Sequence, residues 1–238
     1  MRLSDHSTLT FDCYGTLIDW ESGMVAGLSR LTDRKPDLTR DEVLEAHARH
    51  ESDQQRLTPA MRYSDLLAVV HKRLAEEWRV ETTWEECEAY GRSVPDWPAF
   101  PDSADALAYL GRHFHLVILS NVDNRSFAGS AARLKARWTA TVTAEDCGGY
   151  KPTGRNFEVM LARLSALGIE RGSILHTAES LFHDHVPAGR HGLARAWIHR
   201  RHAQGGFGAT MDPGETPHVD FRFTSMAEMA EAHEKESR

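Results

Sequence analysis

The chain has 238 residues, 41% hydrophobic and 26% charged, ordinary proportions for a globular enzyme with a sizeable core. Its formal net charge of −7 argues against a nucleic-acid surface, and no basic run suggests a membrane patch. No apolar stretch is long enough to span a bilayer, and the amino terminus lacks the apolar segment of a signal peptide. The three scattered cysteines, Cys13, Cys87 and Cys147, form neither a zinc pattern nor a disulfide framework, so a cytoplasmic protein is expected.

Thr8 to Phe11 read as a short strand that ends at Asp12, and Gly15 then allows a tight turn. Residues 20 to 95 carry helical signals and little strand pattern. Asp41 to Arg49 opens with acidic residues, as helix amino termini prefer. Tyr63, Leu66, Leu67, Val70 and Leu74 recur at helical spacing, and Trp84 to Arg92 suits a further helix. Pro95, Pro98 and Pro101 make a stiff connection that ends the helical region. Beyond it strands and helices alternate. Strands are expected at His115–Leu119, Thr139–Thr143, Ser173–Thr177 and Arg195–His199. Helices are expected at Asp102–Arg112, Phe127–Leu134, Asn156–Leu167 and Pro187–His191. This order implies an α/β fold with parallel pairing through crossover helices. The first strand joins the same sheet, so residues 16–96 become a helical insertion and residues 1–15 and 97–238 the core. Gly205 to Gly214 reads as a loop and Ser225 to Lys235 as a terminal helix.

Chemistry gathers where strands end. Asp12 follows the first strand, in the crevice where open α/β sheets bind ligands. Leu116 to Leu119 lead into Ser120 and Asn121. Lys151 lies between Gly148-Gly149 and Pro152, where it can supply a positive charge to a carboxylate or anion. His176 to His185 follows another strand and carries Glu179 and Asp184. His183 and His185 flank Asp184 on an expected loop where side chains diverge, so no histidine metal site is read there.

The ordered set Asp12 with Gly15-Thr16, Ser120, Lys151 with Pro152, then Glu179 and Asp184 resembles the four motifs of the haloacid dehalogenase superfamily. The resemblance covers the whole chain. It implies a Rossmann-like parallel sheet core with an inserted helical cap, aspartate-based covalent hydrolysis, and dimerisation through the cap. Phe11-Asp12-Cys13-Tyr14-Gly15-Thr16-Leu17, Leu119-Ser120-Asn121 and Tyr150-Lys151-Pro152 are similar to segments of L-2-haloacid dehalogenases. Phosphatases of the superfamily usually carry a second aspartate where this chain has Tyr14. A phenol, with an ordinary pKa of about 10, replaces that acid poorly, whereas a halide leaves without protonation.

The resemblance implies that Asp12 attacks the α-carbon of a small 2-haloalkanoic acid, and that water then releases a 2-hydroxy acid from the ester. Lys151 would keep Asp12 ionised, Thr16 and Ser120 would hold its oxygens, and Asp184 would orient Lys151 or the water. Tyr14, Asn121, Glu179 and Ser180 are candidate substrate contacts. The implied substrate-binding arginine falls to Arg49 by helix context, with Arg56 and Arg62 as alternatives. Tyr63, Trp97 and Phe100 are candidate pocket walls. No cofactor is required in this reading. Ala178-Glu179-Ser180 departs from the Ser-Ser-Asn run usual in such dehalogenases. Glu179 with Asp184 instead fits a magnesium-dependent phosphatase, in which Asp12, the Tyr14 carbonyl and Asp184 would bind Mg²⁺. Attack at another carbon electrophile beside a carboxylate, and a non-catalytic binding role, complete the alternatives.

Overall fold

The computed structural model describes residues 1–204, 206 and 208–237. Among these, six parallel strands form one sheet in the order β3-β2-β1-β4-β5-β6. The strands are β1 (Thr8–Phe11), β2 (His115–Ser120), β3 (Ala140–Thr143), β4 (Ile174–Ala178), β5 (Ala194–Ile198) and β6 (Phe221–Phe223). The five expected strands are present within a residue or so of their expected bounds. The short edge strand β6 was not anticipated.

The sheet is buried on both faces because successive side chains of a strand point opposite ways. In β2, Leu116 and Ile118 join the larger core with Leu9, Phe11 and Leu107. Val117 and Leu119 join a second core with Phe157, Met160 and Leu164. Leu107 comes from helix Ser103–Leu110, and Phe157, Met160 and Leu164 come from helix Gly154–Ala166, which covers the opposite face. The carboxyl ends of the central strands β1, β2 and β4 therefore open onto one shared edge.

Above that edge, residues 16–96 supply helices Trp20–Gly27, Arg40–Leu57, Tyr63–Trp78 and Trp84–Gly91. The Arg40–Leu57 helix begins with a capping box: the Glu42 N–H donates to Thr39, and the Thr39 N–H donates to the Glu42 carboxylate. It runs two turns past the expected Asp41–Arg49. Trp84–Gly91 packs on Tyr63–Trp78, and a Cβ at Gly91 would run into the Ser64 carbonyl. The expected loop at 181–185 is instead a π-helical turn, and the terminal helix spans Met226–Glu236. The expected Gly205–Gly214 loop includes Gly205 and Phe207, which lie outside the described residues. Among the described residues no helix is long and apolar enough to cross a membrane.

Candidate active site

Asp12 follows β1 directly, its N–H donating to the Thr177 carbonyl of β4 at 3.1 Å. Its side chain is buried, with Oδ2 accepting from the Thr16 hydroxyl at 2.7 Å and Oδ1 from Lys151 Nζ at 2.9 Å. The Lys151 ammonium also donates to Asp184 Oδ1 at 2.7 Å and to the Leu119 carbonyl at 2.9 Å. Those three acceptors satisfy all three of its protons. Asn121 fixes the lysine backbone from both sides: its Oδ1 accepts the Lys151 N–H at 2.6 Å and its Nδ2 donates to the Lys151 carbonyl at 3.1 Å. Sequence-distant residues are thus held as one buried ionic group.

His176, from the middle of β4, supports this group. One ring nitrogen faces Asp184 Oδ1 at 3.0 Å and the other faces the Thr10 hydroxyl at 2.9 Å. The pairing of β1 with β4 sets Thr10 opposite His176, so the contact is built into the sheet register. The sequence reading quoted His176 without giving it a role.

Burial raises the Asp12 carboxyl above its ordinary range, and Lys151 opposes that rise. Burial also pushes Asp184 upward, but the Lys151 ammonium and the His176 contact outweigh it and hold Asp184 well below that range. Lys151 is raised: the two carboxylates overcome its burial. The ammonium therefore stays charged, and Asp12 is the member of the group that takes up a proton first on acidification.

A cavity of about 40 Å³ adjoins Asp12. That is room for about three water-sized groups. Tyr14, Asn121, Ser180, His183 and Asp184 line it beside Asp12 and Lys151. The helical insertion contributes Trp20, Tyr63 and one face of the Arg40–Leu57 helix, namely Ala48, Glu51, Ser52 and Gln55. Ala209, Thr210 and Met211 close the remaining side.

Several expected contacts are corrected. Arg49 points outward to Glu77 at 3.0 Å, Arg56 pairs with Asp53 and Arg62 with Glu145. One residue of helix rotates a side chain by about 100°, which carries Arg49 off the face that Ala48 presents to the cavity. Glu179 lies in a neighbouring cavity with Arg200 and Arg201, although its N–H donates to Thr16. Ser120 is buried at the end of β2, but no hydrogen bond joins its hydroxyl to Asp12. Asn121 and Tyr14 line the cavity with polar atoms already engaged, Tyr14 through its hydroxyl with Ser130 at 2.7 Å. Trp97 packs edge-on against Tyr14, and Phe100 lies beneath the Arg200 guanidinium.

Burial pushes the Tyr14 phenol and the Cys13 thiol well above their ordinary values, so neither ionises readily. Burial lowers His183 to about 4, which leaves it a neutral imidazole in the cavity wall. Among the described residues, no group of three or more His, Cys, Asp or Glu is arranged to hold a metal. A magnesium ion bridging Asp12 and Asp184 does not fit this arrangement. The ammonium already binds one oxygen of each and would repel a second cation there. Of the carboxylate oxygens of Asp12 and Asp184, Asp184 Oδ2 is buried without a hydrogen-bond partner.

No known protein-family model matches the chain, and no curated protein sequence matches it. Solved structures do. A defluorinating L-2-haloacid dehalogenase aligns over 96% of this chain and 95% of its own, with TM-score 0.77 and 19% identity. The L-2-haloacid dehalogenase of Xanthobacter autotrophicus with chloropropionic acid covalently bound aligns over 95% and 97%, with TM-score 0.76 and 16% identity. The HAD-hydrolase YfnB of Bacillus subtilis, bound to magnesium, aligns over 98% and 100%, with TM-score 0.74 and 18% identity. The chain has the Rossmann-type α/β fold of the haloacid dehalogenases.

Proposed function

We propose that this chain is a hydrolase that displaces halide from a small 2-halo compound through an ester on Asp12. The supporting observation is the Asp12–Lys151–Asp184 group, buried beneath a small cavity with Tyr14 where a proton-donating acid would be needed for other leaving groups. A carboxylate oxygen of Asp12 attacks the carbon, the carbon–halogen bond breaks, and halide leaves with its electron pair. Water then attacks the Asp12 carboxyl carbon. The alkoxide oxygen takes a proton from that water, and Asp12 loses the other as it reionises.

Each neighbour has a part in this sequence. Lys151 favours the ionised form of Asp12 before attack and again at its release. Thr16 fixes the second oxygen, and His176 fixes Asp184. The open Oδ2 of Asp184 is an acceptor suited to orienting the hydrolytic water. Neutral His183 adds a polar wall without adding charge. The covalently bound chloropropionic acid in the Xanthobacter enzyme is consistent with the same reaction class on this fold.

The competing reading is magnesium-dependent phosphate transfer, favoured by the magnesium bound to YfnB and by the unpartnered Asp184 oxygen. It would require Lys151 to give way between the two carboxylates. One assay decides. Halide release from 2-chloropropionate and 2-chloropropionamide, and phosphate release from p-nitrophenyl phosphate, are measured with EDTA and with Mg²⁺. Halide release insensitive to EDTA is expected, falling by about 10³-fold or more in Asp12→Asn. Single turnover in ¹⁸O-water should label Asp12. Phosphate release that needs Mg²⁺, with no halide from either chloro compound, would replace this reading with the phosphatase.

A further inference from the structure

The chain has five tyrosines, and four of their hydroxyls are hydrogen-bonded. Tyr14 engages Ser130, Tyr90 engages His47, Tyr109 engages His233, and Tyr150 donates to the Met61 carbonyl. The hydroxyl of Tyr63 has no hydrogen bond within the described residues, although the residue is 3% exposed. That oxygen is not among the polar atoms sealed inside packed protein, and Tyr63 lines the cavity beside Asp12. A buried hydroxyl is costly without a partner, and proteins rarely leave one so unless water or a ligand takes it.

The surrounding fold holds this donor still. Tyr63 is the first residue of the Tyr63–Trp78 helix. The next N–H, that of Ser64, donates to Asp123 Oδ2 of the core at 2.9 Å. The Tyr63 ring tilts against Tyr150 at 6.4 Å between centroids, and the Tyr150 hydroxyl reaches back to Met61 just before the helix. A donor fixed before its acceptor arrives loses little freedom on binding. Burial, and after it the nearby Glu51, pushes the phenol well above its ordinary value, so its proton stays available for donation. Ser52, on the Arg40–Leu57 helix, brings a second hydroxyl to the same cavity, again with no hydrogen bond among the described residues. All three protons of Lys151 go to protein acceptors, and no arginine is among the described residues that line the cavity.

We propose that Tyr63, with Ser52, donates hydrogen bonds to an oxygen of the substrate group beside its reacting carbon, a carboxylate or an amide carbonyl. This rests on the carbon-electrophile reading above and assigns the subsite that holds that substrate. Carboxylate and amide share the oxygen that a phenol needs as acceptor, whereas a halogen bound to carbon accepts weakly. Neutral hydroxyls thus orient the substrate at a wall where this chain places no cationic side chain.

The test measures binding separately from turnover. Propionate, propionamide and chloride are titrated calorimetrically into the intact protein and into Tyr63→Phe, and both proteins are melted. Tyr63→Phe should weaken propionate, propionamide or both by about three- to tenfold, the range for one hydrogen bond, and leave Tm unchanged. A loss confined to propionate identifies the acceptor as a carboxylate, and one confined to propionamide as an amide. KM for the matching 2-chloro compound should rise by a similar factor. A variant that melts well below the intact protein would mark the Tyr63 hydroxyl as structural; Ser52→Ala then carries the test, with the same expected weakening. Equal binding of both organic ligands by intact protein and variant, no binding of either by the intact protein, or a loss confined to chloride overturns the inference. Halide release is scored independently. Halide released from 2-chloropropionate, with binding and KM unchanged in the variant, sinks the inference and leaves the reaction standing. Weakened binding in the variant with no halide from either chloro compound sustains the subsite and sinks the reaction.

Discussion

At the scale of single residues, what the sequence exposed was charge placed at strand ends. Asp12, Lys151 and Asp184 were legible as a set because their order along the chain resembles the haloacid dehalogenase motifs, and in the structure they are one another's charged partners. His176 was not, because its role depends on which strand lies beside β4, and local sequence does not state that. Its contact with Asp184 makes it a positioning residue. His176→Ala should lower kcat for halide release by about tenfold while KM changes little, because leaving Asp184 and Thr10 without this partner costs about 1–3 kcal/mol. In the proposed reaction only the ionised form of Asp12 attacks, and burial raises its pKa, so activity should fall on acidification from a midpoint above the ordinary carboxyl value of 3.8. A pH–rate profile of kcat/KM reads this directly. Glu179 belongs to the neighbouring cavity, where burial raises its pKa to about 8. The folded protein keeps that proton while an unfolded chain releases it near 4.5, so stability falls as pH rises between those values. Glu179→Gln mimics the protonated form. It should flatten that fall in melting curves taken from pH 5 to pH 8 and leave halide release nearly unchanged.

At the scale of elements, apolar periodicity marked the strands and most helices because packing demands it. It failed where the packed face is polar. The last turns of the Arg40–Leu57 helix bury Glu51, Gln54 and Gln55, so they carry no apolar rhythm. The reading therefore ended at Arg49 and searched the wrong face for a substrate contact. Strand β6 escaped notice for a different reason: it is three residues long and buries only Phe223 among them. The contact between Trp84–Gly91 and Tyr63–Trp78 makes a testable demand on Gly91. A methyl group there meets the Ser64 carbonyl, so Gly91→Ala should destabilise by about 1–3 kcal/mol. In a chain of this size that lowers Tm by about 2–4 °C per kcal/mol, which calorimetry resolves.

At the scale of the whole molecule, the buried histidines couple folding to pH. Burial lowers His183 and His185 to about 4, whereas an unfolded chain protonates them near 6.5. Between those values the unfolded state binds more protons, so stability rises with pH and is lost as pH falls. From pH 7 to pH 5 protonation of each in the unfolded chain should cost about 1–2 kcal/mol, a loss that Glu179 opposes over the same interval. His183→Gln, which cannot take up that proton, should lose less Tm over the same interval. The fold itself was legible from the alternation of strands and helices, whereas the closing of the cavity by Ala209–Met211 was not, because that segment has no regular pattern to read. The helix over the cavity lines it but holds none of the atoms that fix Asp12, which depend on Thr16, Lys151 and residues packed around them. Selectivity and reactivity can therefore drift apart: substitutions along one turn of that helix can redirect which molecules are accepted while the machinery beneath remains intact.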